Sequence, residues 1–201
     1  MNNINIITEL PINKYSELLN LIHESFETYK KQGIFFTCSN YNIEDLKNKV
    51  LSNKYFIAIS NKNELLGITA IKLNDDNTAY ECITAIKPQY KSSGIGTLLY
   101  NIRKNYLKKI GINSLISDTS VKAEASVKWH LNKCCCKKIG YISFPSTNYY
   151  SYILCEDFTS PHLLKRLNRK IHYIYSVIKC HILWKENGKQ TFINKLICIV
   201  K

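Results

Sequence analysis

The chain has 201 residues, of which 45% are hydrophobic and 11% aromatic, and it carries a formal net charge of +13. This length and composition allow one sizeable folded core and exclude a disordered chain. The sequence contains no run of eighteen apolar residues, and its first residues lack the basic and apolar regions of a secretory signal. We therefore expect a cytoplasmic protein.

The basic residues are concentrated near the end of the sequence. Residues 159–201 contain nine Lys or Arg against one Glu, whereas residues 1–158 contain nineteen against fourteen acidic residues. This difference predicts two parts, a main domain over residues 1–158 and a basic extension over residues 159–201.

The eight cysteines do not form a metal-binding pattern. Three are contiguous at Cys134, Cys135 and Cys136, and no CxxC pair occurs. Contiguous cysteines do not easily turn toward one tetrahedral ion, so we expect no metal site. Reduced thiols that fill the core are the favoured interpretation.

In its first half the chain alternates strand and helix patterns. Apolar residues recur every three or four positions over residues 13–28 and again after Asn42, a typical N-cap residue, which predicts two amphipathic helices. A glycine-containing aromatic loop, residues 32–36, joins them. Strands are predicted at residues 4–7, 55–59, 65–71 and in the segment ending at Ile86, with polar turns at 61–63 and 74–77.

The second half continues this alternation. A helical stripe begins at Ile95 and stops at Gly111, which is expected to be its C-terminal cap. A strand at residues 114–117, a helix over residues 122–134 and two strands at residues 137–144 and 149–154 follow. The predicted order of elements is therefore βααβββαβαββ.

The most informative segment runs from Ile83 to Leu99. An apolar strand ends before a proline, and two glycines separated by one residue then precede a helix, a pattern suited to binding a phosphate through backbone amides. A Walker A loop would need Lys after Gly96, and a dinucleotide fingerprint would need glycine or alanine at Leu99. An ordinary glycine-containing turn between strand and helix is the alternative.

This loop and the order of elements resemble the GNAT superfamily of acyl-CoA N-acyltransferases. The family's loop reads Arg or Gln, two residues, Gly, one residue, then Gly or Ala, and here it reads Lys91-Ser92-Ser93-Gly94-Ile95-Gly96. The resemblance covers about residues 3–156, with Lys91 as a departure that keeps a cation. It implies an α/β (α+β) fold, a GNAT-like mixed, mostly antiparallel sheet flanked by helices, with acetyl-CoA as cosubstrate.

The resemblance also implies which residues bind the cosubstrate. In the family, the loop amides hold the coenzyme A diphosphate and the end of the preceding strand pairs with the pantetheine arm. The corresponding residues here are Thr84, Ala85, Ile86, Lys91, Ser92, Ser93, Gly94, Ile95, Gly96 and Thr97.

A second family signature suggests a general acid. The signature is Asn, a small residue three positions on, often a tyrosine acid seven on, and Gly-Phe eleven on. Counting from Ala123 gives Ser126, His130 and then Cys134-Cys135, so the Asn and the Gly-Phe are absent. His130 stands at the position of the acid and has a side chain suited to proton transfer at neutral pH. Helix packing by the imidazole is the alternative.

The general base is less defined. The position at which many family members carry glutamate falls on Tyr80, while the acid Glu81 would point the other way unless a β-bulge shifts the alternation. A solvent-facing Glu81 is the alternative, and a chain of water molecules can replace a side-chain base.

The basic extension has its own helical pattern. Leu164, Leu167, Ile171, Ile174 and Ile178 recur at three- and four-residue spacing among Lys and Arg, which predicts a basic amphipathic helix over about residues 161–180. A hairpin between residues 182–184 and 191–193 is expected to follow. The helix is suited to docking on the core, to a homodimer or to peripheral contact with a membrane, and nucleic acid is the least favoured partner.

These patterns lead to three functional hypotheses. The first is an acetyl-CoA-dependent N-acetyltransferase that acts by direct transfer on an unidentified primary amine of a small molecule or peptide. The second is a GNAT-like module that binds coenzyme A and has weak or no catalysis. The third is an adaptor that acts on a membrane or a polyanion through its basic tail.

Overall fold

The computed structural model describes residues 4–144, 147, 149–183, 185–186 and 189–190. These residues form two compact units. The first comprises the described residues up to Gln32 together with Phe36–Leu115, and the second comprises Gly33–Phe35 and the described residues from Ile116 onward.

The first unit contains a four-stranded antiparallel arrangement in the order β1-β2-β3-β4. The apolar, β-branched runs predicted from the sequence form these strands, because such side chains pack well on a pleated surface. Their bounds are Ile4–Ile7 for β1, Lys54–Ser60 for β2, Leu65–Leu73 for β3 and Thr78–Ile86 for β4.

Helices cover these strands in the first unit. They are α1 (Tyr15–Lys31), α2 (Ile43–Asp45), which continues as a π-helical segment over Leu46–Leu51, and α3 (Ile95–Lys109). Asn42 caps α2 in a capping box with Asp45, as its position predicts. One apolar cluster includes Leu18, Ile22, Leu46, Ile57 and Ile68, and a second, which includes residues of α3, contains Phe56, Leu66, Ile95 and Leu99.

Three longer strands in the order β5-β7-β6 and a long helix make up most of the second unit, which includes β5 from Ile116 onward. Its first helix, α4, is short and continues as a π-helical segment over Trp129–Lys133, and α5 packs on β6. The bounds are Ser114–Ser120 for β5, Glu124–Lys128 for α4, Lys137–Ser143 for β6, Tyr150–Asp157 for β7, Leu163–Leu183 for α5, Lys185–Glu186 for β8 and Lys189–Gln190 for β9.

The predicted fold class and order of elements are confirmed: the seven strands β1 to β7, mostly antiparallel in their pairings, alternate with helices. Gly111 ends α3 with a φ of +79°, in agreement with its expected role as a cap. The predicted C-terminal hairpin is present as the antiparallel pair of β8 and β9. Its predicted first strand was wrong, because Ile182 and Leu183 belong to α5. The expected partner strand at residues 191–193 and Trp184 lie outside the described residues.

Two further features concern the cysteines and the helices. Cys134 is buried, but Cys135 is exposed and has a φ of +54°, so the expectation that all three contiguous cysteines fill the core was wrong for Cys135. Across the described ranges, no helix combines the length and apolar character needed to cross a bilayer.

Candidate functional site

The predicted cofactor loop lies between β4 and α3 in the first unit. After β4 ends at Ile86, the chain makes a 3-10 turn over Pro88–Tyr90. Ser92 and Gly94 then take positive φ angles of 66° and 90°. Both values lie in the left-handed region, which glycine adopts at little cost and serine adopts only with strain. The backbone thus reverses sharply just before the helix.

The loop presents the amino end of α3. The first hydrogen bond of the helix runs from the Leu98 N–H to the Gly94 carbonyl at 2.9 Å. The amides of Ile95, Gly96 and Thr97 precede this bond, and such first-turn amides carry the positive end of the helix dipole. A Cβ built at Gly94 meets no atom within 4 Å. Open space therefore adjoins the part of the backbone that is best suited to hold an anion.

Glu64 clamps one side of the loop. Its carboxylate accepts from Lys87 Nζ at 2.6 Å and from the Tyr90 hydroxyl at 2.9 Å. The hydrogen bond from Lys87, and after it that from Tyr90, lowers the pKa of Glu64. Glu64 raises the pKa of Lys87 in return. The loop is therefore tied to the start of β3 by one ionised carboxylate.

Helix α1 contacts the other side of the loop. Ser25 Oγ lies 2.8 Å from the Ile86 carbonyl oxygen, and Lys91 Nζ donates to the Ser25 carbonyl at 3.2 Å. Burial lowers the pKa of Lys91. The predicted cation of the loop is thus turned toward the backbone of α1, and the last residue of β4 is fixed by a buried serine.

Glu81 belongs to a buried polar network with Arg103 of α3. One Glu81 oxygen lies 2.7 Å from Arg103 Nη1, and the two side chains are only 9% and 3% exposed. Thr84 donates to the same carboxylate oxygen at 2.5 Å, and Arg103 Nη1 also donates to Thr69 and Thr84 at 3.1 and 3.2 Å. The alternative of a solvent-facing Glu81 is therefore excluded, and the network links α3 to β3 and β4.

A β-bulge places Glu81 in this network. Ala70 of β3 is opposite Ile83 of β4, whereas the next residue, Ile71, is opposite Glu81. Cys82 is therefore an extra residue in β4, which shifts the alternation of side chains. The shift puts Glu81 and Thr84 on one face although they are three residues apart in sequence. The sequence predicted that Glu81 would face a site only if a β-bulge shifted the alternation, and the structure contains that bulge.

Tyr80 and Cys82 flank Glu81. Tyr80 is half-buried and lies opposite Lys72 of β3. Cys82 packs against the cluster that contains Leu18 and Ile22, and burial raises the pKa of its thiol. The roles of Tyr80 and Glu81 as general bases stay predictions.

His130 lies in the second unit, in the π-helical segment that follows α4. Its ring is buried, and Nδ1 lies 2.8 Å from the carbonyl oxygen of Ser126, so Nδ1 donates the hydrogen. Ser126 Oγ accepts from the Thr119 hydroxyl at 2.9 Å. With one proton held on Nδ1 by this hydrogen bond, Nε2 is the ring nitrogen open to proton exchange, and an acid role requires the imidazolium form, in which Nε2 carries the proton that is donated. The role of His130 as a general acid stays a prediction.

Sequence reasoning missed Glu64, Ser25, Thr69 and Arg103. For Arg103 a signal existed, because it follows Ile95 and Leu99 at steps of four and so falls on the apolar face of α3. A charged residue on that face indicates a buried partner. The others are polar residues whose contacts depend on distant parts of the chain. Within the part of the chain that the structure describes, no group of three or more His, Cys, Asp or Glu is placed to hold a metal ion.

Comparison with solved structures shows the same fold. PaiA N-acetyltransferase from Thermoplasma acidophilum, in complex with coenzyme A, is 19% identical over 78% of this chain and 99% of its own, with a TM-score of 0.60. An acetyltransferase from Streptococcus agalactiae is 18% identical over 79% of this chain and 100% of its own, with a TM-score of 0.64. The ribosomal-protein-S18-alanine N-acetyltransferase from Escherichia coli is 13% identical over 80% and 97%, with a TM-score of 0.56.

No curated protein matches the sequence. The model of the acetyltransferase (GNAT) family matches residues 16–134, which is more than half of the chain and includes the whole loop between β4 and α3. This match agrees with the resemblance carried by the loop and by the order of elements. The chain belongs to the acetyltransferase (GNAT) family.

Proposed function

We propose that this protein is an acetyl-CoA-dependent N-acetyltransferase that moves an acetyl group to a primary amine of a small molecule or peptide. The observation that carries the proposal is the loop before α3, where Gly94 has a φ of +90° and open space at its Cβ position. Membership of an acetyltransferase family supports it, as does a solved relative of the same fold that is described in complex with coenzyme A.

The residues of the loop fit the chemistry of coenzyme A. A diphosphate needs several N–H donors and positive potential, which the backbone from Ser92 to Thr97 and the amino end of α3 supply. The pantetheine arm carries two amides, which the backbone of Thr84, Ala85 and Ile86 suits through strand-like pairing. These contacts use the backbone, so binding tolerates the departure at Lys91 from the family's loop.

Acetyl-CoA supplies an activated thioester, and the protein must position it and move two protons. The attacking amine forms a bond to the acetyl carbon as the bond to sulfur breaks, the amine loses a proton, and the departing thiolate gains one. A backbone N–H at the end of β4 is suited to stabilise the oxyanion. Direct transfer needs no covalent intermediate on the protein.

Three side chains are candidates for the proton transfers. We assign the acid role to His130, and we assign the base role to Tyr80 or to Glu81, whose carboxylate pairs with Arg103. If they act so, His130→Gln and Tyr80→Phe should lower kcat by about a hundredfold or more while leaving the affinity for acetyl-CoA unchanged. An unchanged kcat in either variant would remove that residue from the mechanism.

The first experiment is isothermal titration of the full chain with acetyl-CoA. The Gly94→Val variant should bind at least about tenfold more weakly, because its side chain fills the space next to the loop amides and strains the turn. Gly111→Val is a matched control, since Gly111 also has a positive φ and an open Cβ position but lies at the other end of α3. It should keep the affinity of the wild type. Equal affinities in all three chains would overturn the cofactor assignment.

A second candidate function is a coenzyme A-binding module without catalysis. The buried ion pair of Glu81 with Arg103 favours it, because that carboxylate is engaged in packing α3 on the sheet. The family's second signature, which lacks its Asn and Gly-Phe here, agrees with it. Measurement of free thiol during incubation with acetyl-CoA and a panel of primary amines separates the two candidates. Sustained thiol release supports the transferase, and tight binding without release supports the module.

A further inference from the structure

Within the second unit, helix α5 packs on the strands through a face of polar and aromatic residues. Arg169 Nη1 donates to both oxygens of Asp157 of β7, each at 2.9 Å, and Arg169 Nη2 lies 3.2 Å from Cys155 Sγ. Ser176 Oγ accepts from the Tyr141 N–H of β6 at 3.0 Å. The Tyr173 ring packs against the Tyr141 ring in a tilted arrangement, with centroids 5.8 Å apart. These contacts follow one another at steps of three and four residues and so define a single face of the helix.

The apolar residues of α5 lie on another face and are exposed. We call Leu164, Leu167, Ile171, Ile174 and Ile178 the α5 stripe; their exposed fractions are 75%, 52%, 58%, 59% and 51%. Alternating steps of three and four residues bring all five onto one side of the helix. Contiguous exposed apolar side chains are rare on proteins that act alone, and they mark interaction surfaces.

Cations border the stripe on both sides. At 100° per residue, Lys170 lies next to one edge of the stripe and Lys179 next to the other, with Arg166 and Lys165 further round. Lys170, Lys179 and Arg166 are exposed. The sequence of α5 contains no Asp or Glu. The outward side of the helix is therefore apolar along its centre and positively charged at its edges.

We propose that the α5 stripe binds the surface of an anionic lipid membrane. Such a surface offers an acyl interior for the stripe and phosphate groups for the flanking cations, which is how basic amphipathic helices bind bilayers. The proposal does not depend on catalysis, because its residues lie outside the predicted acetyl-CoA loop.

The charges favour a lipid membrane over a second copy of α5 and over a nucleic acid. Pairing of two α5 helices would bring their flanking cations together with no carboxylate of either helix between them. A nucleic acid would satisfy the cations but leave the apolar stripe in water. Of these three occupants, a lipid surface is the one that matches both the apolar centre and the charged edges.

The test is vesicle flotation of the full chain. Vesicles of phosphatidylcholine with about one third phosphatidylserine should carry the protein upward, and vesicles of phosphatidylcholine alone should carry at least about tenfold less. Raising the salt from about 0.1 M to about 0.5 M should release much of it, because screening weakens attraction to the anionic surface. Equal binding to both vesicles, or no binding to either, would overturn the proposal.

Two pairs of variants assign the binding to the stripe. Ile171→Gln with Ile174→Gln should weaken binding by about tenfold or more, since two apolar side chains are lost from the bilayer contact. Ile12→Gln is the matched control, because Ile12 is 78% exposed and lies in the first unit. Arg166→Gln with Lys170→Gln should also weaken binding by about tenfold, whereas Lys108→Gln with Lys109→Gln, an exposed pair on α3, should not. Equal losses in variant and control would overturn the assignment to α5.

Sedimentation analysis of the same chains tests the competing occupants. We expect the wild type and the Ile171→Gln with Ile174→Gln variant to have the same oligomeric state. A wild-type dimer that this variant dissociates, together with no vesicle binding, would assign the stripe to a second copy. Vesicle binding that appears only after removal of residues 191–201 would show that this segment covers the stripe, and would also overturn the proposal for the full chain.

Discussion

Helices α3 and α5 have similar amphipathic sequences but pack in opposite ways. In α3 the apolar residues Ile95, Leu99 and Leu107 are at most 2% exposed. In α5 the apolar residues Leu167 and Ile171 are more than half exposed, and Arg169, Tyr173 and Ser176 contact the strands. The spacing of apolar residues therefore predicts a helix with an apolar face. The tertiary structure decides whether that face packs on the strands or stays exposed.

The same two helices each place an arginine against a carboxylate on a strand. Arg103 and Glu81 are almost completely buried, whereas Arg169 and Asp157 retain side-chain exposures of 17% and 12%. In α3 the ion pair belongs to a buried polar network with Thr69 and Thr84. In α5 the ion pair is a principal attachment of the helix. The difference should appear directly in the stability of variants.

Removal of the buried guanidinium should have the largest effect. Arg103→Met leaves the Glu81 carboxylate buried without its cation, and we expect a loss of about 3 to 5 kcal/mol in the free energy of unfolding. Adding Glu81→Leu should restore part of this loss, because no uncompensated charge then remains. Denaturant unfolding followed by circular dichroism measures both. A loss below about 1 kcal/mol would mean that the pair contributes no more than a surface pair.

The second largest effect should come from truncating an apolar side chain, and it should differ between α3 and α5. Leu99→Ala in α3 removes a fully buried side chain and should cost about 3 kcal/mol. Ile171→Ala in α5 is the counterpart at an exposed position and should change the stability by less than about 0.5 kcal/mol. The comparison uses denaturation midpoints under one condition. Similar losses in both variants would contradict the exposed placement of the α5 stripe.

Loss of the α5 ion pair should have an intermediate and local effect. Asp157→Asn keeps one acceptor for Arg169 but removes the charge, which should cost about 1 to 2 kcal/mol. Amide hydrogen exchange in α5 should accelerate, while exchange in α3 should not change. Lys170→Gln, on the outward side of α5, is the control and should leave both rates unaltered. Unchanged exchange in Asp157→Asn would show that other contacts of α5, and not the ion pair, keep the helix packed on the strands.

Features that depend on neighbouring residues could be read from the sequence. The glycine loop before α3, the cap at Gly111 and the N-cap at Asn42 follow from local backbone preferences, and the structure contains all three. The order of helices and strands follows in the same way from periodicity. These features also define the loop that identifies the family.

Features that join distant residues could not be read in this way. Glu81 and Arg103 meet only because Cys82 forms a bulge in β4, and a bulge of one residue reverses every side chain beyond it. Glu64 has no pattern around it that predicts contact with Lys87 and Tyr90. The outward face of α5 is set by Asp157 and Tyr141, which lie on strands outside the helix.

The smallest expected effect concerns the loop that leads into α3. The pKa of Glu64 is lowered and that of Lys87 is raised by their contact. The pair therefore stabilises the fold at neutral pH. This contribution is lost as the pH falls through the lowered pKa of Glu64, and also as the pH rises through the raised pKa of Lys87. Both side chains are partly exposed, so solvent screening limits the contribution to about 0.5 kcal/mol.

Lys87→Met tests this contribution because it removes the ammonium group and retains much of the side-chain length. The stability difference from the wild type should be about 0.5 kcal/mol at neutral pH, and it should vanish as the pH falls below the lowered pKa of Glu64, where the carboxylate is protonated in both chains. Lys108→Met, at an exposed position of α3, should show no such pH dependence. A difference that persists in acid would mean that Lys87 acts through packing of its methylene groups, and the loop would then be fixed by Tyr90 and Ser25 instead of by charge.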